Sequence, residues 1–193
     1  MGLSLKKGER INLRKEVPEL KHIMVGLGWK INSTNKETEN DFNLDVSVIM
    51  LDNNGKALGE EYVIFYNNQK SPCGAVIYGY NNSTYKDDEK IFIDLEKIPE
   101  EVRKLVFIVN IYKAEERKQN FSMIDEAYIR IIDIDTDKEI VRYDLINEFS
   151  TELSVNFGEL YKKDGEWRFR AVGMGQKEGL AEFFKQYGFT INQ

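Results

Sequence analysis

The sequence predicts a mainly β fold, a sandwich or a barrel, and three observations predict it. Apolar and β-branched residues recur in short stretches along the whole chain. Turn residues separate these stretches at regular spacing. No helical stretch of about ten residues or more stands between them, so the βαβ rhythm of a parallel sheet is missing. In order, strands are expected near Ile11–Leu13, His22–Trp29, Phe42–Leu51, Glu61–Tyr66, Ala75–Tyr78 and Lys90–Leu95. Others follow near Lys104–Tyr112, Ala127–Ile134, Glu139–Tyr143, Leu153–Lys162 and Glu166–Gly173.

Turn chemistry fixes some of the connections. Asp164-Gly165 supplies the positive φ angles of a type I′ turn. A two-residue loop there sets Lys163 opposite Glu166, Leu160 opposite Phe169, Glu159 opposite Arg170 and Tyr161 opposite Arg168. Leu160, Trp167, Phe169 and Ala171 then share one face, and an ion pair and a cation–π pair share the other. Asp135–Lys138 and Asn53-Asn54-Gly55 mark two further reversals. At the C-terminal end Leu180, Phe183, Phe184 and Tyr187 fall at i, i+3, i+4 and i+7, the stripe of a helix that packs on a core. Gly188 suits the C′ position of that helix, and Lys185 suits its negative end. A shorter helix is expected over Pro99–Arg103, with Pro99 in its first turn.

Composition bounds the function. The 193 residues are 41% hydrophobic, enough to build a sizeable core and to exclude wholesale disorder. With no linker or repeat in sight, one domain over residues 1–193 is the expected organisation. A net charge of −6 argues against a nucleic-acid partner, because phosphate neutralisation needs a positive surface. No apolar run approaches a membrane span, and the opening residues lack the apolar core of a signal peptide. The expectation is a cytoplasmic chain without direct membrane insertion.

Cysteine and histidine exclude more than they suggest. Cys73 is the one cysteine and His22 the one histidine, so disulfides, four-cysteine zinc sites and two-histidine metal sites are ruled out. A nucleophilic Cys73 would need His22 as its base, and nothing in the sequence places the two together. The phosphate-binding glycine fingerprints are absent, since Gly173-Met174-Gly175 is followed by Glu178 where a third glycine is required.

The carboxylates are more informative. Asp41, Asn43 and Asp45 alternate, which on a strand sets three oxygen ligands on one face. Asp87-Asp88-Glu89 follows the amide- and hydroxyl-rich Asn81-Asn82-Ser83-Thr84. Calcium takes six to eight oxygens, and such a loop offers carboxylates and amides together. Asp41–Asp52 is not an EF-hand, because Val46 and Asp52 stand where its glycine and glutamate belong, and Asp133–Asp137 fails likewise with Lys138 at the glycine position.

Read end to end, these segments resemble the TerD family, the tellurium-resistance and general stress proteins of bacteria. The resemblance is carried by Gly2-Leu-Ser-Leu-Lys-Lys-Gly8, Val25-Gly-Leu-Gly-Trp29, Asp41-Phe-Asn-Leu-Asp45 and Phe65-Tyr-Asn-Asn-Gln-Lys-Ser-Pro72. Ile111-Tyr112 with Ala114, Glu115, Arg117 and Gln119, then Arg142–Leu145, Phe157–Tyr161 and Trp167–Gly173 complete it in order. It implies a β-sandwich, so the expectation becomes a two-sheet β-sandwich with a C-terminal helix and short helical turns. It also implies a cytoplasmic protein without catalytic activity, linked to tellurite and chemical stress and associated with other proteins of the same stress-resistance system.

Several members of the family bind calcium, through a motif resembling G-D-N-x-T-G-x-G-x-G-D-D-E. The resemblance carries that role onto Asn81, Asp87, Asp88 and Glu89, with Asp41 and Asp45 nearby. Tyr80, Lys30 and Lys113 stand where relatives usually carry Asp, and the loop is shorter and has lost its inner glycines. A lysine removes an anionic oxygen and adds a repelling cation, so calcium binding is expected to be weak or lost. Lys30 bridging Asp87 or Asp88 is the expected replacement. A still functional calcium sensor is the alternative. An enzyme would need Asp41, Asp45, Asp87 and Asp88 to converge in a pocket. A small-molecule binder would line a cleft with aromatics, Tyr80 and Tyr85 first.

Overall fold

The computed structural model describes residues 2–32, 42–79, 85–145 and 151–188. Twelve strands are seen among them: β1 (Leu3–Leu5), β2 (Arg10–Asn12), β3 (His22–Ile31), β4 (Leu44–Leu51), β5 (Val63–Ile64) and β6 (Val76–Tyr78). The rest are β7 (Glu89–Asp94), β8 (Lys104–Ile111), β9 (Ile124–Asp133), β10 (Lys138–Leu145), β11 (Ser154–Lys163) and β12 (Glu166–Gln176). Short helices α1 (Leu13–Glu16) and α2 (Ala114–Arg117) and the C-terminal α3 (Leu180–Gln186) accompany them. The strands form two six-stranded sheets, ordered β1-β10-β9-β3-β7-β6 and β2-β12-β11-β8-β4-β5. We call these the first and second sheets. The expected two-sheet sandwich with a C-terminal helix is what the chain adopts.

Alternation explains the layers. Val25, Leu27, Ile129 and Ile131 of the first sheet meet Val46, Val48, Leu105 and Phe107 of the second, all buried in one apolar cluster. A second cluster lies outside the second sheet, where Phe183, Phe184 and Tyr187 of α3 cover Ile49, Leu51, Val106 and Ile108. The helical stripe is therefore core. Gly188 follows at φ 92°, its N–H donating to Lys185 O at 3.1 Å, as a C′ glycine does.

The β11–β12 hairpin has the expected register, with Lys163, Tyr161, Leu160 and Glu159 opposite Glu166, Arg168, Phe169 and Arg170. Asp164 and Gly165 both hold positive φ, at 54° and 77°. Its ionic partners differ from the expected ones. Glu159 pairs with Lys104 at 3.2 Å and Arg168 with Asp164 at 3.4 Å. For Glu159 the reason is that β11 is an interior strand, so β8 competes with β12 for its side chain; Arg168 instead reaches back to the turn.

The expected helix over Pro99–Arg103 is corrected. The segment is one turn, closed by Val102 N–H on Pro99 O at 3.0 Å. It cannot propagate because Arg103 N–H donates to Leu51 O at 2.8 Å and β8 begins at Lys104. The strand Leu3–Leu5, which pairs in parallel with β10, has no counterpart in the sequence expectations. It is three residues long and Leu3 stays half exposed, so no buried alternation marks it.

Candidate functional site

Glycine spacing builds the site. On β3, Val25 and Leu27 point into the core, so Gly26 and Gly28 lie on the outer face of the first sheet. A Cβ on Gly26 would run into the Asp87 carboxylate, and one on Gly28 into the Tyr128 ring. The two missing side chains leave a shallow lane, and the segment before β7 lies along it. Each residue of Asp87-Asp88-Glu89 then meets β3 differently. Asp87 sits over Gly26, Asp88 accepts the Trp29 N–H at 2.9 Å, and Glu89 pairs with Leu27 in the ladder.

Asp87 is buried completely, with its side chain 0% exposed. Its Oδ1 accepts from Arg130 Nε at 2.7 Å and from the Tyr128 hydroxyl at 3.0 Å, and its Oδ2 accepts from Arg130 Nη2 at 2.7 Å. This is a bidentate fork, the strongest geometry open to the pair. Arg130 Nη1 reaches on to Glu139 at 3.1 Å, and the Arg142 guanidinium stacks 3.7 Å above the Tyr128 ring. Burial and the adjacent Asp87 charge push the Tyr128 phenol up to about 12, which keeps it a donor. Tyr85 extends the strap to the far end of the sheet with a hydrogen bond to Asp137.

Three other acids share one end of the sandwich. Burial raises the Asp45 carboxyl above its ordinary value. Burial also raises Glu89, and the Asp45 and Asp88 charges push it further, while a hydrogen bond from Tyr78 and the Lys90 charge partly offset this. Among the described residues none of the three makes an ion pair with a cation. Raised acids bind protons more tightly folded than unfolded, so stability falls as pH rises from the unfolded value, 4.5 for Glu89, through the folded one. Glu89→Gln is therefore expected to raise Tm at pH 7 in metal-free buffer and to leave it unchanged near pH 4. Melting curves across that range check the sign.

The sequence-derived site residues divide accordingly. Glu89 comes within electrostatic reach of both Asp45 and Asp88; Asp87 is tied to Arg130. Asp41 and Asn81, like Tyr80, lie outside the described residues. Among the described residues no group of three or more His, Cys, Asp or Glu side chains is arranged to hold a metal ion. Asp87 does not fit as a calcium ligand, because a guanidinium and a phenol occupy both its oxygens. Glu89 and Asp45 fit better, as half-buried acids that make no ion pair among the described residues.

The Lys30 bridge is corrected as well. Lys30 stands directly across from Glu126 on β9 and pairs with it at 3.4 Å. The cation that neutralises Asp87 is Arg130, which sequence reasoning missed. Lys113 pairs with Glu116 at 3.3 Å, beside the Tyr112 ring. His22 Nδ1 contacts Asp135 at 3.0 Å, and Cys73 Sγ lies 3.3 Å from the Ser71 hydroxyl.

Comparison with known proteins agrees with this architecture. The TerD domain matches residues 1–187. The chain is 44% identical over 195 residues to the tellurium resistance protein TerD of Serratia marcescens, covering 100% of both chains. It is 40% identical to general stress protein 16U of Bacillus subtilis (strain 168), covering 99% of this chain and 100% of that one. A crystal structure of a homologue of telluride resistance protein (TerD) from Streptomyces coelicolor A3(2) shares the fold. Its TM-score is 0.66 at 15% identity, over 89% of this chain and 99% of that one. No helix among the described residues is long and apolar enough to cross a membrane. The chain belongs to the TerD family of tellurium-resistance and general stress proteins.

Proposed function

We propose that this chain is a single-domain, non-catalytic binding or scaffold module of the stress response to tellurite and chemical damage. In this reading it works in the cytoplasm with other proteins of the same resistance system, and its acidic loop is a degenerate calcium site. The observation that carries the reading is the Asp87–Arg130 fork. An acid the family motif offers to calcium here serves as an internal counter-ion, closing a strap over β3. Asp88 is partly committed to the Trp29 N–H, and Lys30, Lys113 and Tyr80 stand where the family resemblance implies acids. Calcium affinity follows ligand charge count and site rigidity, so the remaining set supports only weak binding.

Calorimetric titration of the metal-free chain with calcium tests this. A dissociation constant of about 10⁻⁴–10⁻³ M, or no heat, is expected; sub-micromolar binding overturns the degenerate site. One observation favours the second reading, a working calcium sensor. The Asp45 and Asp88 charges oppose Glu89, Lys90 offsets them only in part, and a divalent ion would relieve them. That reading requires tight binding and a gain of about 2.7 kcal/mol in stability at 100 times the dissociation constant.

A further inference from the structure

The outer face of the second sheet carries two cations that nothing in the fold neutralises. Ile11 on β2 and Phe169 and Ala171 on β12 point into the core between the sheets. Arg10, Arg168 and Arg170 alternate with them, so all three stand on the outer face. The helix α3 covers the apolar part of that face, on β4 and β8, and leaves this part open. Arg10 is exposed, and Arg168 and Arg170 are partly buried.

Arg10 lies directly opposite Arg170 in the β2–β12 ladder. Residues so placed have Cα atoms about 5 Å apart and side chains that stand together. Like charges in that position destabilise the sheet. The acids nearby are engaged elsewhere. Glu159, the other cross-strand neighbour of Arg170, pairs with Lys104 at 3.2 Å. Asp164 pairs with Arg168 at 3.4 Å, and Glu166 accepts from the Asn12 amide at 2.7 Å. The Glu9 carboxylate accepts the Lys6 N–H at 2.7 Å. Among the described residues neither Arg10 nor Arg170 makes an ion pair. The Nε atoms of Arg168 and Arg170 are buried, and neither has a hydrogen-bond partner. Every unmet group at this place is thus a donor or a cation.

We propose that Arg10 and Arg170 form a binding site for a small phosphate-class oxyanion, with Arg168 at its flank. A carboxylate has two oxygens and fills one guanidinium fork. Two forks side by side suit an ion with more oxygens and more than one charge. A side-on fork uses Nε together with a terminal nitrogen, so an anion on Arg170 gives an acceptor to the donor that now lacks one. The ladder presets the two guanidiniums, and the ion replaces their repulsion with charge-assisted hydrogen bonds. A net charge of −6 argues against a long polyanion, not against one small ion at a local pair of cations. The Asp87 strap lies on the other sheet, so the test is independent of whether calcium binds there.

Melting curves of the metal-free chain near neutral pH test this, with sodium phosphate exchanged for sodium chloride at constant ionic strength. Tm is expected to rise saturably, half-way at about 1–10 mM phosphate, and chloride alone to give no saturable rise. Acetate at the same ionic strength is expected to bind at least about fivefold more weakly. Arg10→Gln and Arg170→Gln are each expected to weaken phosphate about tenfold or more. Arg10→Gln is also expected to raise Tm in phosphate-free buffer of low ionic strength, since it removes the like-charge contact. Lys30→Gln removes a cation from the outer face of the first sheet and is expected to leave the phosphate midpoint within about twofold. No saturable rise up to about 50 mM phosphate, or acetate binding as tightly, would overturn the proposal. So would an Arg10→Gln variant that keeps the wild-type midpoint or loses stability without phosphate, or a Lys30→Gln variant that shifts the midpoint as far. Arg10 is exposed on an edge strand, so its variant folds even if Arg170→Gln does not.

Discussion

Arg130→Ala is expected to lower the stability of the chain by about 3–5 kcal/mol, because it leaves the Asp87 carboxylate buried without its countercharge. In a chain of this length that is a fall in Tm on the order of 10 °C. The size of the effect follows from what surrounds Asp87. Gly26 lies beneath it, the Tyr128 hydroxyl satisfies one lone pair, and no water reaches the carboxylate. Arg130→Lys is expected to recover little of the loss, since an ammonium cannot make two parallel hydrogen bonds to a carboxylate. Adding Asp87→Asn to Arg130→Ala removes the orphaned charge and is expected to restore part of the stability. Urea denaturation of the single and double variants measures the coupling. A loss below about 1 kcal/mol for Arg130→Ala would mean that the strap over β3 relaxes freely, and that Asp87 is available to other partners after all.

How much of this could be read from the sequence depended on how local the cause was. The β11–β12 hairpin was legible because Asp164-Gly165 carries its turn geometry in two residues, and the strand pattern on both sides agrees with it. The stripe of α3 was legible for the same reason. The turn over Pro99–Arg103 was not, because the decisive hydrogen bond runs from Arg103 N–H to Leu51 O, far away in the chain. The candidate site divided along that line too. Asp45, Asp88 and Glu89 could be picked out as acids at suggestive spacing. Arg130 reads as an ordinary polar position between Ile129 and Ile131 on a half-solvated strand, and its partner lies 43 residues earlier. One signal was present and unused. Gly26 and Gly28 alternate with Val25 and Leu27, so a strand of this kind must be bare on its outer face. A bare face on a central strand invites another segment to lie across it.

Phe183→Ala is expected to cost a comparable amount, about 3–5 kcal/mol, by emptying the centre of the second apolar cluster. Phe183 is 0% exposed against Ile49, Leu51, Val106 and Ile108. The helix that carries it has only seven residues, too few to persist on its own in water. Two hydrogen bonds tie its end to the turn after β4: Ala57 N–H to Tyr187 O at 2.9 Å, and Lys56 Nζ to Gln186 O at 3.2 Å. These hold the helix in register but cannot replace the buried ring, because each is near the surface and worth about 1 kcal/mol at most. Loss of the ring is therefore expected to loosen α3 as a unit and to uncover an apolar sheet face. Hydrogen exchange would show early loss of protection over Leu180–Gln186, and an anilinonaphthalene dye would bind the variant before the main unfolding transition. If the variant instead keeps its stability within about 1 kcal/mol and binds no dye, α3 is a dispensable cover, and its apolar stripe serves a partner rather than this chain's own core.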